Sequence, residues 1–310
     1  MIINTGNRTD IPACYSEWFY NRIKEGYVLV RNPYYPEQVL KYKLKPDIVD
    51  IICFCTKNPE PMLARMSEIK EFGQFWFVTI TPYGTDIEPN VPAKEKVMDS
   101  FRKLSDIVGV NAVSWRYDPI FISEKYTLKR HLEDFEKMAE NLKGYTKQCV
   151  ISFIDLYAKT RRNFPKVREV SWEEQEIIAK EFVKIGKKYS MKILACCERS
   201  ELSKYGIDVS GCMTKSILEK AVGCTLDVPK KLKSSRPQCD CLLGSDIGMY
   251  NTCGHACLYC YANYERRTVV QNMKRHHPQS PLLIGELQKN DKIKEVKQKS
   301  WLDGQLSFFI

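Results

Sequence analysis

Residues 49–81 read VDIICFCTKNPEPMLARMSEIKEFGQFWFVTIT. Two apolar runs rich in β-branched and aromatic residues, VDIICFCT and FWFVTIT, flank an amphipathic stretch that has prolines at its start and a glycine at its end. The pattern predicts strand, helix, strand, and runs this continuously apolar suit strands covered on both faces, as in a parallel sheet. The rhythm extends in both directions. MIINT precedes SEWFYNRIKEG; AKEKVMDSFRKLSDIVG leads to VNAVSWR, TLKRHLEDFEKMAENLKG to QCVISFID, and SWEEQEIIAKEFVKIGKKY to MKILACCE. Six strands alternating with helices predict an α/β fold of βα units over residues 1–197.

Such a sheet either curls into a barrel or stays open and doubly wound. Polar groups follow the apolar runs: Arg8, Thr9 and Asp10; Thr56, Lys57 and Asn58; Thr81 to Asp86; Arg116, Tyr117 and Asp118; Asp155; and Cys196 to Arg199. In a parallel array these converge on one rim at the carboxyl ends of the strands, which favours a partial (β/α)6 TIM-like barrel. Asp10 and Asp118, each near a proline, read equally well as helix caps. The rhythm stops after Cys197. A cysteine-rich portion, 198–262, shows no long helix; residues 263–310 then form a basic segment, helical up to Pro278, with a tail whose QLSFFI run is expected to dock on the core.

The chain has 310 residues, 44% hydrophobic, enough for a substantial core, with a formal charge of +10. Residues 264–300 carry nine Lys or Arg against four Asp or Glu, which suits either a solvated surface or a polyanionic partner. No basic leader is followed by an apolar run, and nothing approaches the roughly 18 apolar residues of a membrane span, so a cytoplasmic protein without membrane contact is expected.

Thirteen cysteines is an odd number, and nine fall between Cys196 and Cys260. A closed disulfide framework explains this poorly, and metal binding explains it better. The four scattered ones, Cys14, Cys53, Cys55 and Cys149, lie in apolar contexts that suit small buried hydrophobes. CGHACLYC, residues 253–260, places Cys253, Cys257 and Cys260 at C-x3-C-x2-C spacing. One short loop of this kind can wrap three corners of a [4Fe-4S] cube and leave the fourth iron open. The competing ligand set is zinc with His255, although structural zinc sites usually separate two ligand pairs by a dozen residues or more. Cys197, Cys212, Cys239 and Cys241 make a second set of four thiols for an auxiliary iron-sulfur cluster or zinc, with buried free thiols the plain alternative. Cys197 is preferred to Cys196 because adjacent strand residues face opposite ways and the later one leads out of the strand.

The spacing, with Tyr259 before the third cysteine, resembles the radical S-adenosylmethionine (SAM) enzymes, and CLYCYAN is similar to the spore photoproduct lyase branch. The resemblance implies a cluster whose open iron chelates SAM, reductive cleavage to a 5'-deoxyadenosyl radical, and an electron donor such as a flavodoxin or ferredoxin. Taken whole, with RTDIP, TKNP, ITPYG, RYDPI and ISFIDLY, the chain resembles a family with a radical-SAM-like cysteine cluster at its C-terminal end, which brings no established activity with it. The motif lies about fifty residues from the C-terminus rather than after the first strand. A circularly permuted barrel, with MIINT doing the work of the strand after the cluster, is therefore expected.

By position, Arg116 is expected to fork onto the SAM carboxylate. Thr79, Thr81 and Ser152 are expected on ribose or amino groups, Arg8, Thr9 and Asp10 beside the cluster, and the backbone of Tyr259 at the adenine. Lys57, Tyr83, Asp118 and Asp155 point toward the substrate, and His131 reads as structural. Two other classes remain open. One is a zinc- or cluster-stabilised nucleic-acid-binding protein using RRTVVQNMKRHH; the other is a (β/α) hydrolase, for which no G-x-S-x-G, H-E-x-x-H or phosphate loop is present.

Overall fold

Ile2–Asn4 (β1) opens a sheet whose members are spread along the whole chain. The structure, a computed structural model, describes residues 1–156, 158–165, 167–229 and 239–302. QLSFFI lies outside them. After β1 come the helices Ile11–Cys14 (α1) and Ser16–Glu25 (α2) and the strands Tyr27–Arg31 (β2), Gln38–Lys43 (β3) and Ile51–Thr56 (β4). The segment between β4 and Gly73–Thr79 (β5) holds only a short helix, Glu60–Leu63 (α3), and a 3-10 turn, Met66–Ile69. Then come Lys94–Val108 (α4), Val113–Ile120 (β6), Leu128–Asn141 (α5), Gln148–Phe153 (β7), Ala158–Asn163 (α6), Trp172–Lys188 (α7) and Lys192–Ala195 (β8). Lys215–Val222 (α8), Ser245–Asp246 (β9), Arg266–Lys274 (α9) and Lys292–Glu295 (β10) complete the elements described.

All six expected strands are present and parallel, and a seventh, β9, joins them in the order β9-β1-β4-β5-β6-β7-β8. Two features differ from expectation. No strand pairing joins the edges β8 and β9 among the described residues, so the sheet is not a closed barrel. A separate small sheet, β10-β3-β2, is also present: YVLVR and QVLKYK pair antiparallel in a hairpin that falls between the longer runs. The cysteine-rich portion and the tail each give a strand to sheets built by the first half, β9 beside β1 and β10 beside β3.

Alternation along each strand sorts the core into two layers. On one face Phe54 stacks on Trp76 with ring centroids 3.8 Å apart, and Phe135 of α5 lies between Trp115, at 4.8 Å, and Phe182 of α7, at 3.6 Å. On the other, Ile2, Ile51, Phe75 and Phe77 pack against Leu218 of α8, Leu242 and Trp301. No helix described is long and apolar enough to cross a membrane.

Gly6 fixes how closely the end of β1 approaches β4. A Cβ there would lie 2.3 Å from the carbonyl oxygen of Cys55 and 2.4 Å from its Cβ, contacts that only backbone movement relieves. Gly6→Ala is expected to lower the unfolding free energy by about 1–3 kcal/mol, read as a lower urea midpoint at unchanged slope.

Candidate metal centre

The strand ends converge on a cavity of about 500 Å³. Thr9 and Asp10 follow β1, Lys57 follows β4, Thr79 ends β5, Arg116 and Asp118 lie on β6, and Ser152 and Asp155 lie on or after β7; all of them line it. Cys253, Cys257, Tyr259 and Cys260 line it from the loop after β9, and Cys196, Cys197, Cys212, Cys239 and Cys241 line it too. The volume is in the range of small-molecule sites, roughly 300–1,000 Å³.

The cysteine loop is held shut by its own amides. Asn251 N–H donates to the Ala262 carbonyl at 3.0 Å, and the Asn263 side chain donates to the Cys253 carbonyl at 2.8 Å. Outside partners grip it as well: Asn90 donates to the carbonyls of Gly254 and His255 at 2.7 and 3.2 Å, and Tyr15 hydroxyl donates to that of Thr252 at 2.6 Å. Ala256 and Asn251 adopt φ of +56° and +58°, so the chain turns tightly on both sides of Cys253.

Two buried carboxylates tie this loop to the strand ends. Asp10 caps α1 through Ala13 N–H at 3.0 Å and also meets Lys57 N–H and His255 Nε2, each at 2.8 Å. Its reading as a helix cap holds, and it also lines the cavity. Burial disfavours the His255 imidazolium, but Asp10 more than offsets that and raises its pKa to about 9. Glu88 receives Lys57 Nζ and Thr81 hydroxyl at 2.8 Å each, together with Lys94 Nζ and Tyr259 hydroxyl. Burial opposes its charge, yet the two ammonium groups bring its pKa down to about 2. Glu88 and Lys94 carry no motif in the sequence and were not anticipated.

Other expected residues divide between the cavity and the framework. Arg116 lines the cavity with one arm donating to Asp118 at 2.5 Å. Ser152 hydroxyl donates to Glu198 at 2.8 Å, and burial raises the Glu198 carboxyl to about 7. Thr81 is fully buried and spends its hydroxyl on Glu88, and Arg8 spends its guanidinium on Asp246 at 2.5 Å; neither lines the cavity. Tyr83 is also away from the cavity, fully buried and stacked on Phe121 at 4.2 Å. His131 is buried between Tyr117 hydroxyl and the Phe121 carbonyl, both at 2.8 Å, as a structural histidine would be.

The cysteines need two corrections. Cys14 is half-buried rather than buried, and its thiol, Cys253 and His255 bring their ligand atoms within 4.8 Å of one another; Cys55 and Cys53 line the cavity. At the second set, Cys196 rather than Cys197 joins Cys212 and Cys241 within the same span. The alternation rule assumed an extended chain, but Cys197 turns into the left-handed region, φ +61°, and its Sγ lies 3.9 Å from that of Cys196. Hydrogen bonds from Cys196, Cys212 and the Met213 amide lower the Cys241 thiol to about 5.

No curated protein matches the sequence. Among solved structures, a candidate alpha-L-fucosidase from Bacteroides thetaiotaomicron is similar at 12% identity and a TM-score of 0.27 over 53% of this chain. The match covers 48% of that structure's chain. A family model matches residues 2–262, which hold every strand of the large sheet and all thirteen cysteines, so the chain belongs to the family described as Domain of unknown function (DUF1848).

Proposed function

We propose that the protein is a radical SAM enzyme, on a circularly permuted partial barrel, acting on a substrate held in the 500 Å³ cavity. The observation that carries this is the position of Cys253, Cys257 and Cys260 together on the wall of that cavity, in a loop pinned to the strand ends. Strand order supports the permutation, because β9 leads into the loop and pairs with β1.

The residues fit a [4Fe-4S] cluster. Cys253, Cys257 and Cys260 line one cavity together. Burial raises the Cys257 thiol, and the Cys14 thiol and burial together raise that of Cys253, so without metal both keep their protons and a bound metal has to displace them. Cys253, Cys257 and Cys260 would hold the cluster, which with SAM bound would supply the one-electron cleavage that gives a 5'-deoxyadenosyl radical. The chain's own part is orientation. Arg116 would fork onto a carboxylate, and Thr9, Thr79, Asp118 and Asp155 line the same cavity. The exposed Arg266, Arg267 and Lys274 of α9, just past the loop, suit an acidic electron carrier such as a flavodoxin or ferredoxin. Exposed Tyr261 and Tyr264 beside these arginines favour a nucleic-acid version of the substrate; a steep loss of affinity with salt is expected for it, and no binding at low salt would remove it.

Protein purified without oxygen and reduced with SAM present is expected to form 5'-deoxyadenosine, and Cys257→Ala to form none. An iron-free wild type, or one that leaves SAM intact, would contradict the proposal. Arg116→Ala is expected to weaken SAM binding about tenfold or more in calorimetry, the loss of a charge-assisted contact.

Glu88→Gln leaves Lys57 and Lys94 buried without their counter-charge, which is expected to cost about 3–5 kcal/mol at neutral pH. The Glu88 pKa is lowered, so its contribution is present above the unfolded value of 4.5 and is lost as pH falls toward about 2. Denaturant titrations of the two proteins should therefore converge across that window.

A further inference from the structure

We propose that Cys196, Cys212, Cys239 and Cys241 hold a structural zinc ion that clasps β8 to β9, the two edges of the large sheet. The inference does not rest on the cofactor proposed for the other cysteine loop.

Spacing of the sulfurs selects the metal. Cys212 Sγ lies 3.4 Å from Cys196 Sγ and 3.7 Å from Cys241 Sγ. Four sulfurs at about 2.3 Å from a tetrahedral zinc stand about 3.8 Å apart, whereas the thiolates of an iron-sulfur cube each sit on a separate iron and are spread more widely. Cys239, buried on the same cavity and two residues from Cys241, supplies the fourth ligand; its sulfur stands outside the 4.8 Å span of the other three, so the metal draws it in. The seat is built in the backbone as well. Amides of Cys212 and Met213 donate to Cys241 Sγ at 3.2 and 3.3 Å. Gly211, at φ +133°, leaves room that a Cβ would close to 3.0 Å from that sulfur. Arg116 reaches Cys196 and Cys212 with its charge, which offsets the excess of four thiolates over a divalent ion.

Position gives the role. Cys196 directly follows β8, and Cys241 stands four residues before β9. Between these edges, among the described residues, short stretches pair: Ala195 N–H donates to the Asp208 carbonyl, Asp240 N–H to that of Ser210, and Leu242 N–H to that of Met213, each at 2.9 Å. Thiols from all three stretches meet at one point, so a metal there closes what strand pairing leaves open.

Elemental analysis of the full chain purified without oxygen tests this. About one zinc per chain is expected, retained when Cys253, Cys257 and Cys260 are all replaced by alanine, retained in Cys197→Ser, and lost in Cys212→Ser/Cys241→Ser. Should the double variant not fold, wild type with cobalt(II) in place of zinc is expected to give the visible spectrum of a tetrahedral four-thiolate site. After metal removal, amides of β8 and of residues 240–247 should exchange about tenfold faster or more, with β4 and β5 unchanged. Absence of zinc, iron lost with Cys212 and Cys241 instead, a sulfur-poor cobalt spectrum, or unaltered exchange would each overturn the proposal.

Discussion

One buried carboxylate, Glu88, holds the site together. Lys57 reaches it from the end of β4, Thr81 from just after β5, Lys94 from the start of α4 and Tyr259 from the cysteine loop. A charge so deep is stable only while its partners surround it, and those partners belong to segments that come together only in the folded chain. Asp10 repeats the device on the other side, joining α1, Lys57 and His255. The loop that bears Cys253, Cys257 and Cys260 therefore takes its position from the sheet.

The cavity behind these anchors is lined by both cysteine groups and by Arg116. Its guanidinium is paired with Asp118, and its charge reaches Cys55, Cys196 and Cys212. The two cysteine groups differ in build. The loop of Cys253 is a single turn beside the open cavity, whereas the group of Cys196 draws on three separate stretches and lies where the sheet stops pairing. A ligand bound in the cavity would meet both.

The fold was largely legible because its strands are buried on both faces and so read as continuous apolar runs, from MIINT to MKILACCE. The hairpin β2-β3 is hard to read because its strands are only five and six residues long and neither alternates cleanly between apolar and polar. C-x3-C-x2-C is a local signal and was visible. Cys14, Glu88 and Lys94 were not, since what marks them is contact across distant segments: Cys14 with Cys253, and Glu88 with Tyr259. Cys197 was preferred over Cys196 by a rule for extended chain that fails where the backbone turns left-handed.

The central claim is a cluster with one iron open to SAM at the edge of this cavity. Low-temperature paramagnetic resonance of the reduced protein, with and without SAM, tests it most directly. The account predicts the signal of a reduced four-iron cluster whose line shape changes when SAM is added. A signal indifferent to saturating SAM, or no cluster signal at all, would contradict it.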